Sequence, residues 1–212
     1  MTWSVTPGRP STTDHACEKS AGAGGEGGVM VRRMHISECR AEDVVLLDQH
    51  LPSGGTTSFH ARRFVRHTAG SSTYLVAWND GCPVGNGEVR WNGCSAPEVQ
   101  AAFPDCPEIN GLHVAEPLRG TGIGTALIRR AERLAGQRST RTIGLGVDDH
   151  GNPRAAALYT RLGYRPTVRY VDRRSYIDRD GIEHHVEDPC VFLVKELTPD
   201  TVDADGRRSR IY

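Results

Sequence analysis

The residues with the clearest chemical potential are Arg119-Gly120-Thr121-Gly122-Ile123-Gly124. They follow an apolar strand-like run and open an amphipathic helical one, so unpaired backbone N–H groups can converge on a phosphate while the glycines permit close approach. This predicts an anion site. A dinucleotide fold would place G-x-G-x-x-G after the first strand of a βαβ unit, with an acidic residue about twenty positions on. Here the pattern is G-x-G-x-G in mid-chain, and no Gly-Lys-Ser/Thr provides a P-loop. No Gly-x-Ser-x-Gly elbow is present.

The elements that must position this turn are legible on both sides of it. Residues 1–28, rich in Gly, Ser, Thr and Pro, read as a disordered tail, 29–197 as one domain and 198–212 as a polar tail. VMVRRM reads as a first strand, Glu38 to Leu47 as a helix, and Phe59 to Arg66 as a second helix whose Arg62, Arg63 and Arg66 form a solvated face. TYLVAWNDGCPVGNGEVRWNG reads as a hairpin around Asn-Asp-Gly, and Cys94 to Pro107 as a loop or lid. PEINGLHV is a fourth strand. Ile123, Leu127, Ile128, Ala131, Leu134 and Ala135 give the next helix its apolar stripe. TIGLGV is a fifth strand, and NPRAAALYTRLG a helix with Asn152 as cap and Gly163 as stop. YRPTVRYV, a hairpin arm SYIDRDGIEHHV and CVFLVKEL complete the order. Helices separated by strands after an antiparallel start predict an α/β (α+β) fold with a mixed central sheet covered by helices.

Composition removes several classes of function. The chain has 212 residues, 37% hydrophobic, and its 26 basic residues balance 26 acidic ones, so no net field draws it to nucleic acid or an anionic membrane. No apolar run is long enough to span a bilayer or to resemble a secretory leader, so the expectation is a cytoplasmic protein with reduced cysteines. His184 and His185 are adjacent and would point to opposite faces of a strand, and the other histidines are dispersed, so no metal site is expected.

At the glycine turn the sequence resembles the GNAT superfamily of acyl-CoA-dependent N-acyltransferases. Its signature, Arg or Gln, two residues, Gly, one residue, then Gly or Ala, is matched by Arg119, Gly122 and Gly124. Leu112-His113-Val114 looks like the end of the family's splayed fourth strand. Asn152, Ala155, Leu158, Tyr159, Leu162, Gly163 and Tyr164 resemble its second segment. The resemblance implies a mostly antiparallel sheet with helices on both faces, and acetyl-CoA as cosubstrate. By position, Arg119, Gly120, Thr121, Gly122, Ile123 and Gly124 would face the pyrophosphate, and His113, Val114 and Asn152 would lie near the pantetheine. Tyr159 would be the general acid at the coenzyme sulfur.

The resemblance implies direct attack by a primary amine of an unidentified acceptor, expected to be a small molecule; the alternative is a silent acyl-CoA-binding module. For the base, Glu108 is the first candidate and Glu88 the second, each a strand carboxylate that equally fits a salt bridge. Asp48, Asp105, Glu108 and Asp178 could together bind a cationic acceptor. The Tyr176 to Val186 arm suggests a homodimer.

Overall fold

The computed structural model describes residues 34–53, 58–148, 152–177 and 180–198. The tails expected at 1–28 and beyond 198 therefore lie outside the described residues. Strands β1 (Met34–Glu38), β2 (Ser72–Asn79), β3 (Cys82–Arg90), β4 (Glu108–Val114), β5 (Thr142–Asp148), β6 (Arg165–Ile177) and β7 (Glu183–Glu196) form one sheet. Its order is β1-β2-β3-β4-β5-β7-β6, antiparallel except where β4 meets β5. The helices are α1 (Asp43–His50), α2 (Phe59–Thr68), α3 (Pro97–Ala102), α4 (Ile123–Gln137) and α5 (Pro153–Arg161).

The expected α/β architecture is present, with helices on both faces. Ile123, Leu127, Ile128, Ala131 and Ala135 bury the stripe of α4 against Val84, Val89, Ile109 and Leu145, and Tyr159 of α5 joins the same cluster. On the opposite face, Leu47 of α1 packs with Tyr74, Val76 and Trp78 of β2, while α2 lies along β2. Asp80 (φ 51°) and Gly81 (φ 82°) supply the paired left-handed residues of the β2–β3 hairpin turn.

Four local expectations shift. The first strand falls at Met34–Glu38, while residues 29–33 lie outside the description. The first helix starts at Asp43, because Asp43 Oδ2 accepts the Arg40 amide at 2.8 Å and holds 40–43 as a turn. The segment from Cys94 to Pro107 is no lid: it contains α3, and Cys94, Val99 and Cys106 are buried against Tyr170, Cys190 and Phe192. The arm is the continuation of β6 and β7, paired from Val171↔Pro189 to Ile177↔Glu183. Cys39, Cys94, Cys106 and Cys190 are buried free thiols, whereas Cys82 is disulfide-bonded.

Candidate active site

The site begins where two strands part. Strands β4 and β5 pair only at Glu108↔Gly144 and Ile109↔Leu145, after which Asn110 to Val114 remain paired with β3 alone. Opposite this opening, Asn86↔His113 and Glu88↔Asn110 enclose one residue of β3 and two of β4. The extra residue makes a bulge at Gly111, whose φ of 57° is in the left-handed region. A parallel pair that separates beside a bulge leaves a wedge with free backbone groups on its inner edges.

The glycine turn lies at the mouth of this wedge. Gly122 (φ 95°) is the N-cap of α4, and the first intrahelical bond runs from Ala126 N–H to Gly122 O at 3.0 Å. The amides of Ile123, Gly124 and Thr125 therefore precede the helical ladder and are free to donate to an anion. Gly120 (φ 85°) and Gly122 have no heavy atom within 4 Å of where a β-carbon would stand, so the turn has open space above it. Arg119 Nε donates to Val114 O at 3.2 Å, tying the turn to the end of β4, and its guanidinium is exposed. Thr121 Oγ1 donates to Leu118 O at 2.7 Å. These residues fit the pyrophosphate of a coenzyme A thioester in shape and polarity.

Asn152 caps α5, its Oδ1 accepting the Ala155 amide at 3.1 Å, as the sequence leads one to expect. Tyr159 is buried, with its ring edge-on to Tyr164 at 6.3 Å. Burial pushes its phenol pKa up, so the hydroxyl keeps its proton at neutral pH. His113 is partly buried; burial first, then the fields of Arg119 and Arg63, lower its pKa and keep the ring neutral.

The two carboxylates occupy different environments. Glu88 is fully buried and accepts two bonds from Arg66, both at 2.7 Å, with Arg63 and Arg90 each 3.7 Å away. Burial alone would raise its pKa, but the Arg66 bonds and the fields of Arg66 and Arg90 outweigh it and hold the carboxyl below its usual range. A carboxylate so held is a poor proton acceptor. Glu108 is also buried, yet its contacts are looser: Arg90 Nη1 at 3.4 Å and Asn110 Nδ2 at 3.3 Å. Burial prevails there and pushes its carboxyl up, the direction a general base requires.

Sequence reasoning missed the arginines. Arg63 has a side chain only 13% exposed; it packs over Phe59 and Tyr74, and its Nη1 donates to Asn86 Oδ1 at 2.9 Å and Gly111 O at 3.3 Å. Behind it, buried His60 Nε2 donates to Leu51 O at 2.7 Å, which leaves Nδ1 to accept from Tyr74. The available signal was Asn86 and Glu88 in the middle of a buried strand, which demand polar partners from the covering helix. Of the acidic residues considered for a cationic acceptor, Asp48 accepts from Ser58 Oγ at 2.8 Å, Asp105 is on the surface, and Asp178 lies outside the described residues. No group of three or more metal-binding side chains occurs among the described residues.

With this geometry in hand, comparison with known proteins is decisive for the family. The model of the acetyltransferase (GNAT) family matches residues 43–164, more than half of the chain, and the protein belongs to that family. An N-acetyltransferase from Staphylococcus aureus Mu50 superposes with a TM-score of 0.60 at 16% identity, over 78% of this chain and 99% of that one. Arabidopsis thaliana NAA60 in complex with a bisubstrate analogue gives 0.58 at 18% identity, over 79% and 99%. The putative acetyltransferase yncA from Salmonella typhimurium, solved with its cofactor acetyl-CoA, gives 0.57 at 15% identity, over 78% and 95%. These likenesses establish the shared fold. No curated protein matches the sequence.

Proposed function

We propose that the protein is an N-acetyltransferase that moves an acetyl group from acetyl-CoA to a primary amine of a small molecule in the cytoplasm. The observation that carries this reading is the β4–β5 wedge with the left-handed glycine turn at its mouth. The bound thioester supplies the activated acyl group. The chain's part is positional: the amides at the start of α4 hold the diphosphate, His113 and Val114 line the pantetheine side, and Asn152 closes the far edge. Glu108 accepts a proton from the acceptor's ammonium, directly or through water, so that the neutral amine can attack, and Tyr159 donates its proton to the departing sulfur. Glu88 acts as the counter-charge that fixes the arginines. No helix among the described residues is long and apolar enough to cross a membrane.

The test is thiol release from acetyl-CoA across a panel of small amines and peptides. Release that depends on both acetyl-CoA and an added amine supports the reading. Tight acetyl-CoA binding with no release on any amine favours a silent acyl-CoA-binding module.

A further inference from the structure

The face of β3 and β4 beneath α2 carries three guanidiniums, Arg63, Arg66 and Arg90, against two carboxylates, Glu88 and Glu108. Asp172 adds its field to Glu108, but it is itself paired with Arg174 at 2.7 Å. The face thus retains positive charge, and at Arg63, whose side chain is largely withdrawn from water, that charge is only weakly screened.

The hydrogen-bonding inventory points the same way. Arginine has no acceptor, so the bond from Arg63 Nη1 fixes the Asn86 amide with Oδ1 toward the guanidinium. Its Nδ2 is buried and without a partner, and so is Nδ1 of His113, the residue opposite it in the register. Arg63 Nη2 stands directly over Gly111, in the space a β-carbon would fill. A buried side chain left with spare donors beside a guanidinium calls for a group that only accepts. Accessibility increases outward from buried Asn86 through Arg63 at 13% to Arg90 at 32% and Arg66 at 39%, so a ligand reaches the set through the guanidiniums. Arg90 contacts both Glu88, at 3.7 Å, and Glu108, at 3.4 Å, so these donors adjoin the carboxylate proposed above as the base.

We propose that the acceptor is an amine bearing a carboxylate, an amino acid or a close analogue, and that Arg63, oriented by Asn86 and Gly111 and backed by Arg66 and Arg90, binds that carboxylate. This rests on the acetyl-transfer reading above and narrows its acceptor from amines in general to anionic ones. It also reverses the expectation of a cationic acceptor.

The experiment compares the twenty L-amino acids with their primary amides and with spermidine. Thiol release gives kcat/KM, and calorimetry gives binding to the CoA-loaded protein. An amide has the less basic amine, so a preference for the carboxylate cannot come from amine basicity. For the wild type, the kcat/KM of at least one amino acid should exceed that of its amide by about 10- to 100-fold, the scale of a charged hydrogen-bonded contact. Arg63→Gln should erase that ratio with acetyl-CoA affinity unchanged, and Arg63→Lys should keep part of it.

Equal or better use of amides or spermidine by the wild type overturns the proposal and leaves acetyl transfer standing. A ratio that survives in folded Arg63→Gln overturns it, as does an equal loss on both acceptor types. If Arg63→Gln does not fold, the wild-type ratio and Arg63→Lys decide. If no acceptor releases thiol, carboxylate-selective binding that falls in Arg63→Lys upholds the anion site while the transfer reading fails. Absence of such binding rejects the site.

Discussion

The guanidinium of Arg63 fills the space that a side chain at Gly111 would need, so a helix residue and a strand residue 48 positions apart fix each other's identity. Gly111 has a φ of 57°, which costs a non-glycine residue about 1–2 kcal/mol before any clash is counted. Gly111→Ala should therefore lose at least that much stability and also push Arg63 off Asn86 and Glu88. Urea denaturation provides the measurement. A midpoint equal to wild type would refute the coupling.

Glu88 makes a second, pH-dependent prediction. Its folded pKa lies below the unfolded value, so its stabilising contribution is complete above the ordinary carboxylate range and disappears as pH falls through the lower, folded value. Glu88→Gln removes the charge that three buried or half-buried guanidiniums share, and should cost about 3–5 kcal/mol near neutrality. The gap between wild type and variant should narrow on acidification. Denaturant midpoints taken across a pH series test this, and a gap independent of pH would mean that the Glu88 carboxylate is not the source.

What was legible in the sequence divides along physical lines. The glycine turn, the α4 stripe, the Asp80-Gly81 hairpin and the Asn152 cap are local devices, each set by residues within one or two turns of each other. Local chemistry is written in local spacing. Arg63 and Arg66 were read as a solvated face because periodicity cannot say which strand a short polar helix will cover; β3 presents Asn86 and Glu88 to α2 and draws the arginines inward. The Cys94 to Pro107 segment looked polar for a similar reason, since its few apolar groups become a core only when Tyr170 and Phe192 arrive from the far end of the chain.

The projecting end of the β6–β7 ribbon leaves Tyr176, Ile177 and Ile182 exposed. If the ribbon pairs two copies of the chain, as proposed from its sequence, sedimentation should show a dimer at micromolar concentration, and Ile177→Asp with Ile182→Asp should shift it to monomer. A wild-type monomer throughout that range rejects the pairing.

Gly122 tests the coenzyme site independently of any acceptor. Its φ of 95° is open to glycine and strained for other residues, and the space above it is where the phosphate must approach. Gly122→Val should reduce acetyl-CoA affinity by at least about tenfold, equivalent to ~1.4 kcal/mol. The strain is confined to the exposed turn, so the variant should remain folded. Calorimetric titration with acetyl-CoA is the measurement, and undiminished affinity would move the pyrophosphate elsewhere.

Tyr159 tests the chemical step. Its phenol is buried in the main core cluster, where burial raises its pKa above the ordinary phenol value, and its ring is held edge-on by Tyr164 at 6.3 Å. Tyr159→Phe removes one oxygen and leaves the ring packing in place, so the variant should bind acetyl-CoA nearly as well as wild type. If the hydroxyl protonates the departing sulfur, the chemical rate should fall by about tenfold to a thousandfold, with KM for the amine little changed. Rapid-mixing measurement of a single turnover separates acyl transfer from product release. A loss confined to the transfer step, with the wild-type rate declining at high pH as the phenol ionises and the Phe variant lacking that decline, identifies the proton donor. An unchanged transfer rate in Tyr159→Phe would leave the residue as a core aromatic, and the leaving thiolate would then take its proton from solvent.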